Sequence, residues 1–250
     1  MLFIEIVRWL LIAIIGAAVG YFGGLFGKGG AAIATPLLAA IGIPPIVAVA
    51  SPLPATVPGT LVALARFRDG GFAHRPVIVW SAACGVPATI IGALLTRWVD
   101  GSALVTATDV VIICLGTRIL LHRGSTSKRD VVDPPRLPLA LVAVTVGLLA
   151  GLLANSGGFL LVPLYLAVLS LPIKRALASS LAVGSLLAVP GTIVHAAMGH
   201  IDWRVAIVFG LASIPLSSLG ARRALAMDGT RLERIYGAGL AVLGIALLAL

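Results

Sequence analysis

The chain is a succession of apolar segments, each near the length that crosses a bilayer, and this pattern limits its fold more than any single residue does. The segments run at about 9–27, 29–43, 45–65, 76–96 and 102–121, then at about 137–154, 157–171, 176–198, 203–221 and 232–250. A spanning helix needs about 20 apolar residues, with a range of about 17–25. A polar stretch from His122 to Arg136, with the pair Pro134-Pro135, separates the two groups. A helix satisfies its own backbone hydrogen bonds, as a segment in lipid must. The expected fold class is therefore all-α, a polytopic membrane protein. Composition excludes the soluble alternative: 60% of the 250 residues are hydrophobic and 11% charged, against about 45–50% and 25% in soluble domains. The first apolar run continues past any small-residue cleavage site, so it reads as a retained span and not a signal peptide.

The two groups of segments are repeats. Val57-Pro58-Gly59-Thr60 recurs as Val189-Pro190-Gly191-Thr192. Val86-Pro87, Gly92, Asp100-Gly101 and Leu104 recur as Ile214-Pro215, Gly220, Asp228-Gly229 and Leu232. Ile43-Pro44 and Ala50-Ser51 recur as Leu171-Pro172 and Ala178-Ser179. Several matches in one order indicate duplication. The organisation expected is a first transmembrane repeat over 1–121, a cytoplasmic linker over 122–136 and a second repeat over 137–250.

Charge decides how many times each half crosses. Lys and Arg accumulate on the cytoplasmic side of membrane proteins. If segments 29–43 and 157–171 turn back, the 18 basic residues split 10 against 8. If they cross, one side holds fifteen of them and the other only Arg8, Arg97 and Arg204. Five crossings per half are therefore expected, with the second half inverted and both termini outside the cytoplasmic membrane. Equivalent loops then lie on opposite sides. Arg97 is matched by Arg222, Arg223, Arg231 and Arg234, and Arg204 by Arg66, Arg68 and Arg75. The net charge of +9 is mainly this topology signal. A nucleic-acid binder would need its basic residues on one aqueous face, so no such partner is expected. Cys84 and Cys114 lie in apolar segments and read as small buried hydrophobes.

Inverted repeats place transporter sites at the repeat interface, on short or broken helices. The two short segments supply the candidates. Gly27-Lys28-Gly29-Gly30 leads to Thr35-Pro36, and Asn155-Ser156-Gly157-Gly158 leads to Pro163. Glycine lets a backbone turn sharply and approach a ligand, and the helix that follows presents free N–H groups to an anion. Lys28 adds a charge, and Asn155 and Ser156 add donors. For Gly16, Gly20, Gly147 and Gly151 the preferred reading is close helix packing. Ser51, Ser179, Ser180, Thr56, Thr60 and Thr192 form a second polar thread, near Pro54, Pro58 and Pro190. It either lines a pathway or accompanies kinks. His195 and Asp109 are the candidates for carrying a coupling proton; a packed, hydrogen-bonded role is preferred for both. No cluster has metal-ligand spacing or paired carboxylates, and Gly27-Lys28-Gly29-Gly30 lacks the spacing of a phosphate loop. Neither catalysis nor a cofactor is expected.

These residues resemble the TauE/SafE family, the sulfite exporters and 4-toluenesulfonate uptake permeases. The resemblance rests on the two glycine-rich breaks, on Gly147-Leu148-Leu149-Ala150-Gly151, Ser156-Gly157-Gly158, Pro163 and Ala178-Ser179-Ser180, and on Gly199-His200-Ile201-Asp202-Trp203-Arg204. The last looks like the family's Gly-x-Val-Asp-Trp-Arg turn, with Ile201 for Val. It covers nearly the whole chain, although Lys28 stands where the family usually has a small residue. The resemblance implies transport of sulfite, sulfonates or related organosulfur anions, coupled to protons or sodium. The expected function is a secondary transporter of small anions working by alternating access. An anion channel on the same scaffold is the alternative, with a membrane-embedded enzyme or a non-transporting scaffold behind it. The partners expected are the anion, a coupling proton or sodium ion and membrane lipid, with a homodimer left open.

Overall fold

The computed structural model describes residues 2–27, 31–95, 135–153 and 157–248. These residues form ten helices and no strand. They are α1 (Leu2–Leu25), α2 (Ala31–Ala40), α3 (Pro45–Ala50), α4 (Leu53–Asp69), α5 (Arg75–Leu95), α6 (Arg136–Leu152), α7 (Gly158–Ala167), α8 (Ile173–Ala197), α9 (Trp203–Ala226) and α10 (Gly229–Leu248). Segment 102–121 lies outside the described residues, with most of the polar stretch after it. Five stretches are long and apolar enough to cross a membrane: Glu5–Leu25, Pro45–Asp69, Arg75–Leu95, Ile173–Ala197 and Trp203–Ala226. The protein is a multi-pass membrane protein.

Several helices begin earlier than the apolar runs suggest. Lys174 and Arg175 lie in the first turn of α8 and Arg231 in that of α10, because long basic side chains lie along a helix and reach its polar end. The segment at 45–65 is interrupted. Pro52 and Pro54 remove two backbone donors within three residues, and the helix divides into α3 and α4 across Ser51-Pro52. The matching stretch of α8 has no proline at Ser179-Ser180 and runs unbroken.

Two seams organise the bundle, and glycine makes both. Along α1 and α9, a Cβ on Gly20 would strike the Ser213 carbonyl, one on Gly24 that of Ser217, and one on Gly220 that of Tyr21. Along α5 and α6, the same holds for Gly92 on Leu148, Gly147 on Gly85 and Gly151 on Thr89. Without side chains the backbones approach closely, which is how helices gain packing energy in lipid. The preferred packing reading of Gly16, Gly20, Gly147 and Gly151 agrees with these contacts. In both seams the partners rise together in number, so the helices run parallel.

Long-range contacts divide the basic residues between the bundle's two ends. At one end the Lys174 ammonium donates to the Leu225 carbonyl at 2.9 Å and lies over the Phe72 ring. Arg66 donates to Ser218 Oγ at 3.0 Å, and Arg136 covers Trp80. At the other end Arg8 donates to the Gly42 carbonyl at 3.2 Å, and the Asp202 N–H donates to Ser51 Oγ at 3.0 Å. The Arg8–Gly42 contact has a topological consequence. From Arg8 the chain climbs to Gly27, about 28 Å at 1.5 Å per residue. α2, ten residues long, leads back toward the level of Arg8, where Gly42 accepts from it. α6 starts at the Lys174 end, opposite the start of α1.

The lipid-facing surface is apolar. Leu211 and Leu137 are each 72% exposed, and Leu141, Ile207 and Val79 are similarly bare. In water such patches would drive association. Inside, Tyr165, Tyr236, Phe67, Phe209, Leu177 and Leu181 are fully buried.

Candidate functional site

The two glycine-rich breaks meet at one side chain. Ser180 Oγ, fully buried on α8, lies 3.1 Å from the Gly27 carbonyl and 3.2 Å from the Gly158 carbonyl. Gly27 ends the turn after α1, and Gly158 opens α7. A hydroxyl carries one hydrogen, so Ser180 donates to one carbonyl at a time or shares its hydrogen between both. Each break turns on one glycine. Gly27 and Gly157 each have φ 67°, in the left-handed region, which costs glycine nothing.

Gly157 forms the N-cap of α7, and among the described residues no side chain caps that helix. Its carbonyl accepts from Leu160 and Leu161 N–H at 3.0 Å each. The positive end of the α7 dipole thus opens inside the bundle without a side-chain acceptor, an arrangement that favours an anion. Beside this point stands Ser179, fully buried, whose hydroxyl has no partner among the described residues. Buried hydroxyls are ordinarily bonded.

The other candidates fall in different places. Lys28, Gly29, Gly30, Asn155, Ser156 and Asp109 lie outside the described residues. Thr35 is half-buried on α2. Ser51 is buried at the α3–α4 interruption and accepts from Asp202 N–H, away from Ser180 and at the opposite end from Lys174. Thr56, Thr60 and Thr192 return their hydroxyl hydrogens to carbonyls of their own helices, those of Pro52, Thr56 and Ala188, at 3.2, 2.7 and 2.7 Å. Such back-bonding accompanies bent helices, so the kink reading accounts for their hydrogens.

His195 is fully buried. Its Nδ1 lies 3.1 Å from Nδ1 of His200, and its Nε2 is 3.5 Å from the Gly151 carbonyl. The packed, hydrogen-bonded reading of His195 fits these contacts. His200 was missed as a partner because it stands in the turn after α8; its spacing of five from His195 was the available signal. That turn is built tightly. Gly199 has φ 72°, His200 N–H closes onto the His195 carbonyl, and the Asp202 carboxylate accepts from the N–H groups of Arg204 and Val205 to cap α9. A second overlooked pair is Tyr165 and Ser81. The Tyr165 hydroxyl lies 2.7 Å from Ser81 Oγ, joining α7 to α5 inside the core. Among the described residues no group of three or more His, Cys, Asp or Glu could hold a metal ion.

Comparison with known proteins agrees with this architecture. A family model described as sulfite exporter TauE/SafE matches residues 12–247. A probable membrane transporter protein of Xylella fastidiosa (strain Temecula1) is 27% identical over 231 residues, covering 89% of this chain and 88% of the relative. A probable membrane transporter protein of Methanocaldococcus jannaschii is 26% identical, covering 95% and 94%. One of Bacillus subtilis is 22% identical, covering 88% of each. No solved structure matches.

Proposed function

Because the chain belongs to the sulfite exporter TauE/SafE family, we propose that it is a secondary transporter of small anions, of the sulfur oxyanion or organosulfonate class. Its relatives are named as probable membrane transporters, and membrane transport is the activity from which the finer reading proceeds. The observation that carries the reading is the meeting of the two breaks at Ser180. The anion sits at the uncapped start of α7, among Gly157, Gly158, Ser179 and Ser180, with Gly27 opposite. Lys28, Gly29, Gly30, Asn155 and Ser156, outside the described residues, remain candidates from the sequence of the breaks.

The two halves are inverted repeats. Three features support this: the recurring Val-Pro-Gly-Thr motifs, the reciprocal seams of α1 on α9 and α5 on α6, and the opposite starting ends of α1 and α6. Alternating access moves one half against the other around the site. The basic end faces the cytoplasm, as the bias of Lys and Arg requires, in the inner membrane of the cell.

The test is a thermal-shift screen of purified protein against sulfite, thiosulfate, sulfoacetate, taurine and toluenesulfonate, with uptake into proteoliposomes. A ligand bound only by the native state raises its stability by RT ln(1 + [L]/Kd), about 2.7 kcal/mol at 100 times Kd. Selective stabilisation by one anion, with accumulation against its gradient, supports the proposal. Flux that never exceeds equilibrium would point to a channel. No shift and no uptake with any anion would sink it.

A further inference from the structure

We infer that His195 and His200 together form a one-proton site between the Gly199 turn and Gly151 of α6, and that this site takes up the coupling proton. The inference rests on the transporter reading for its purpose, but its chemistry is argued from the pair itself.

The first step concerns tautomers. The Gly151 carbonyl can only accept, so the contact with His195 Nε2 requires a proton on that nitrogen. In the neutral ring Nδ1 is then a lone-pair acceptor. It faces Nδ1 of His200 at 3.1 Å, so His200 carries its own proton on Nδ1 and donates it. The Nε2 of His200 is left with a free lone pair. His200 is half-buried in the turn between α8 and α9, whereas His195 is fully buried. The one basic nitrogen of the neutral pair therefore belongs to the partner nearer the bundle's end.

The second step is stoichiometry. A proton from water adds to His200 Nε2, and only this N–H bond forms. The Nδ1 hydrogen then lies between an imidazolium and an imidazole and can pass to His195, carrying the charge inward toward Gly151. A second proton would place N–H groups on both facing Nδ1 atoms and two positive rings 5.3 Å apart between centroids. The pair thus binds one proton, and its titration belongs to both rings jointly. Release returns the proton to water.

Among the described residues, no charged side chain is shown bonded to the pair. Among the described residues, the charged groups nearest to the pair along the chain are Asp202, whose carboxylate is bonded to the α9 N-terminus, and Arg204. On the packed helices, Arg66, Arg68 and Asp69 end α4 and Arg75 opens α5. Arg136 opens α6, and Arg231, Glu233 and Arg234 open α10. The part of α5 beside Gly151 is Thr89, 14 residues from Arg75, or about 21 Å along the helix. Arg136 is 15 residues from Gly151, about 22 Å on the same scale. The start of α10 meets Ile173, at the far end of α8 from His195. α7 carries no charged residue, only Tyr165, which is bonded to Ser81.

Two measurements test the inference, and they fail separately. Nitrogen NMR of histidine-labelled protein in nanodiscs, titrated from pH 8 to pH 4.5, reads the pair without any substrate. One proton taken up, with both rings responding at one midpoint, is expected; two independent midpoints, or no response from either ring, would overturn the site. Proteoliposome uptake of whichever anion the screen identifies, driven by a pH gradient, reads the coupling. H195Q and H200Q should each lose at least tenfold of the stimulation by the gradient. Stimulation that survives in both variants, or that follows a sodium gradient instead, would overturn the coupling role. Absence of anion flux in the wild type would remove the transport reading and leave the NMR result to decide the site.

Discussion

Ser180, Tyr165 and Asp202 make side-chain contacts whose loss can be predicted. Removing the Ser180 hydroxyl leaves the Gly27 and Gly158 carbonyls without their shared donor. Hydrogen bonds inside membrane proteins average about 0.6 kcal/mol and reach about 1.7 kcal/mol. S180A is therefore expected to lower stability within that range, read as the midpoint of thermal unfolding in detergent. It is also expected to lower uptake by far more than the stability loss explains, because the breaks lose their common anchor. Equal losses in S180A and in Y165F, which cuts a similarly buried bond away from the breaks, would argue for a merely structural serine. Asp202 offers a control on the opposite end: D202A removes the cap of α9 and should cost about 0.5–2 kcal/mol, and D202N less. The residues themselves were legible in the sequence, since serine and glycine stand out in an apolar helix. Their partners were not, because Ser180 and Gly27 are 153 positions apart and periodicity carries no information at that range.

The helices repeat the same lesson at a larger scale. The order of the described helices and the close packing at Gly20 and Gly151 follow from apolar periodicity and small-residue spacing. The interruption at Ser51-Pro52 did not follow, although both prolines were in view. A span of the same length, Ile173–Ala197, tolerates Pro190 without dividing, and one proline bends a helix where two within three residues break it. The seams yield a prediction of their own. A methyl group on Gly20 would meet the Ser213 carbonyl of α9, and one on Gly151 the Thr89 carbonyl of α5. Backbone cannot move aside as a side chain can, so G20A and G151A are each expected to cost about 1–3 kcal/mol, as overpacking does. At Gly71 a Cβ would meet nothing within 4 Å, and only its φ of 71° opposes substitution. G71A should cost less, on the order of 1 kcal/mol. Thermal midpoints of the three variants in one detergent check the order, and G71A falling furthest would mean that the seams are looser than drawn.

At the scale of the whole molecule, charge and packing bear on the same division by independent routes. The sequence separates fifteen basic residues from three by counting loops. The contacts place two of them by touch: Lys174 reaches Leu225 and Phe72 at one end, and Arg8 reaches Gly42 at the other. Packing alone has no inside or outside, so the cell side of each end must be measured. With Cys84 and Cys114 replaced by alanine, single cysteines are placed at Asp69, exposed where α4 ends, and at Met198, beside the Gly199 turn. The end of α4 lies with Phe72 and Lys174, and the Gly199 turn lies with Asp202 and Ser51. In intact cells a membrane-impermeant maleimide should therefore label M198C and spare D69C, while inverted vesicles should give the reverse. The sign is set by the lysines and arginines, which resist translocation, and the opposition of the two sites by the bundle. The two parts can fail apart. Labelling of D69C alone in intact cells would reverse the orientation and leave the fold intact. Labelling of both from one side would mean that Pro45–Asp69 or its neighbours do not cross, and the five-crossing half would have to be redrawn.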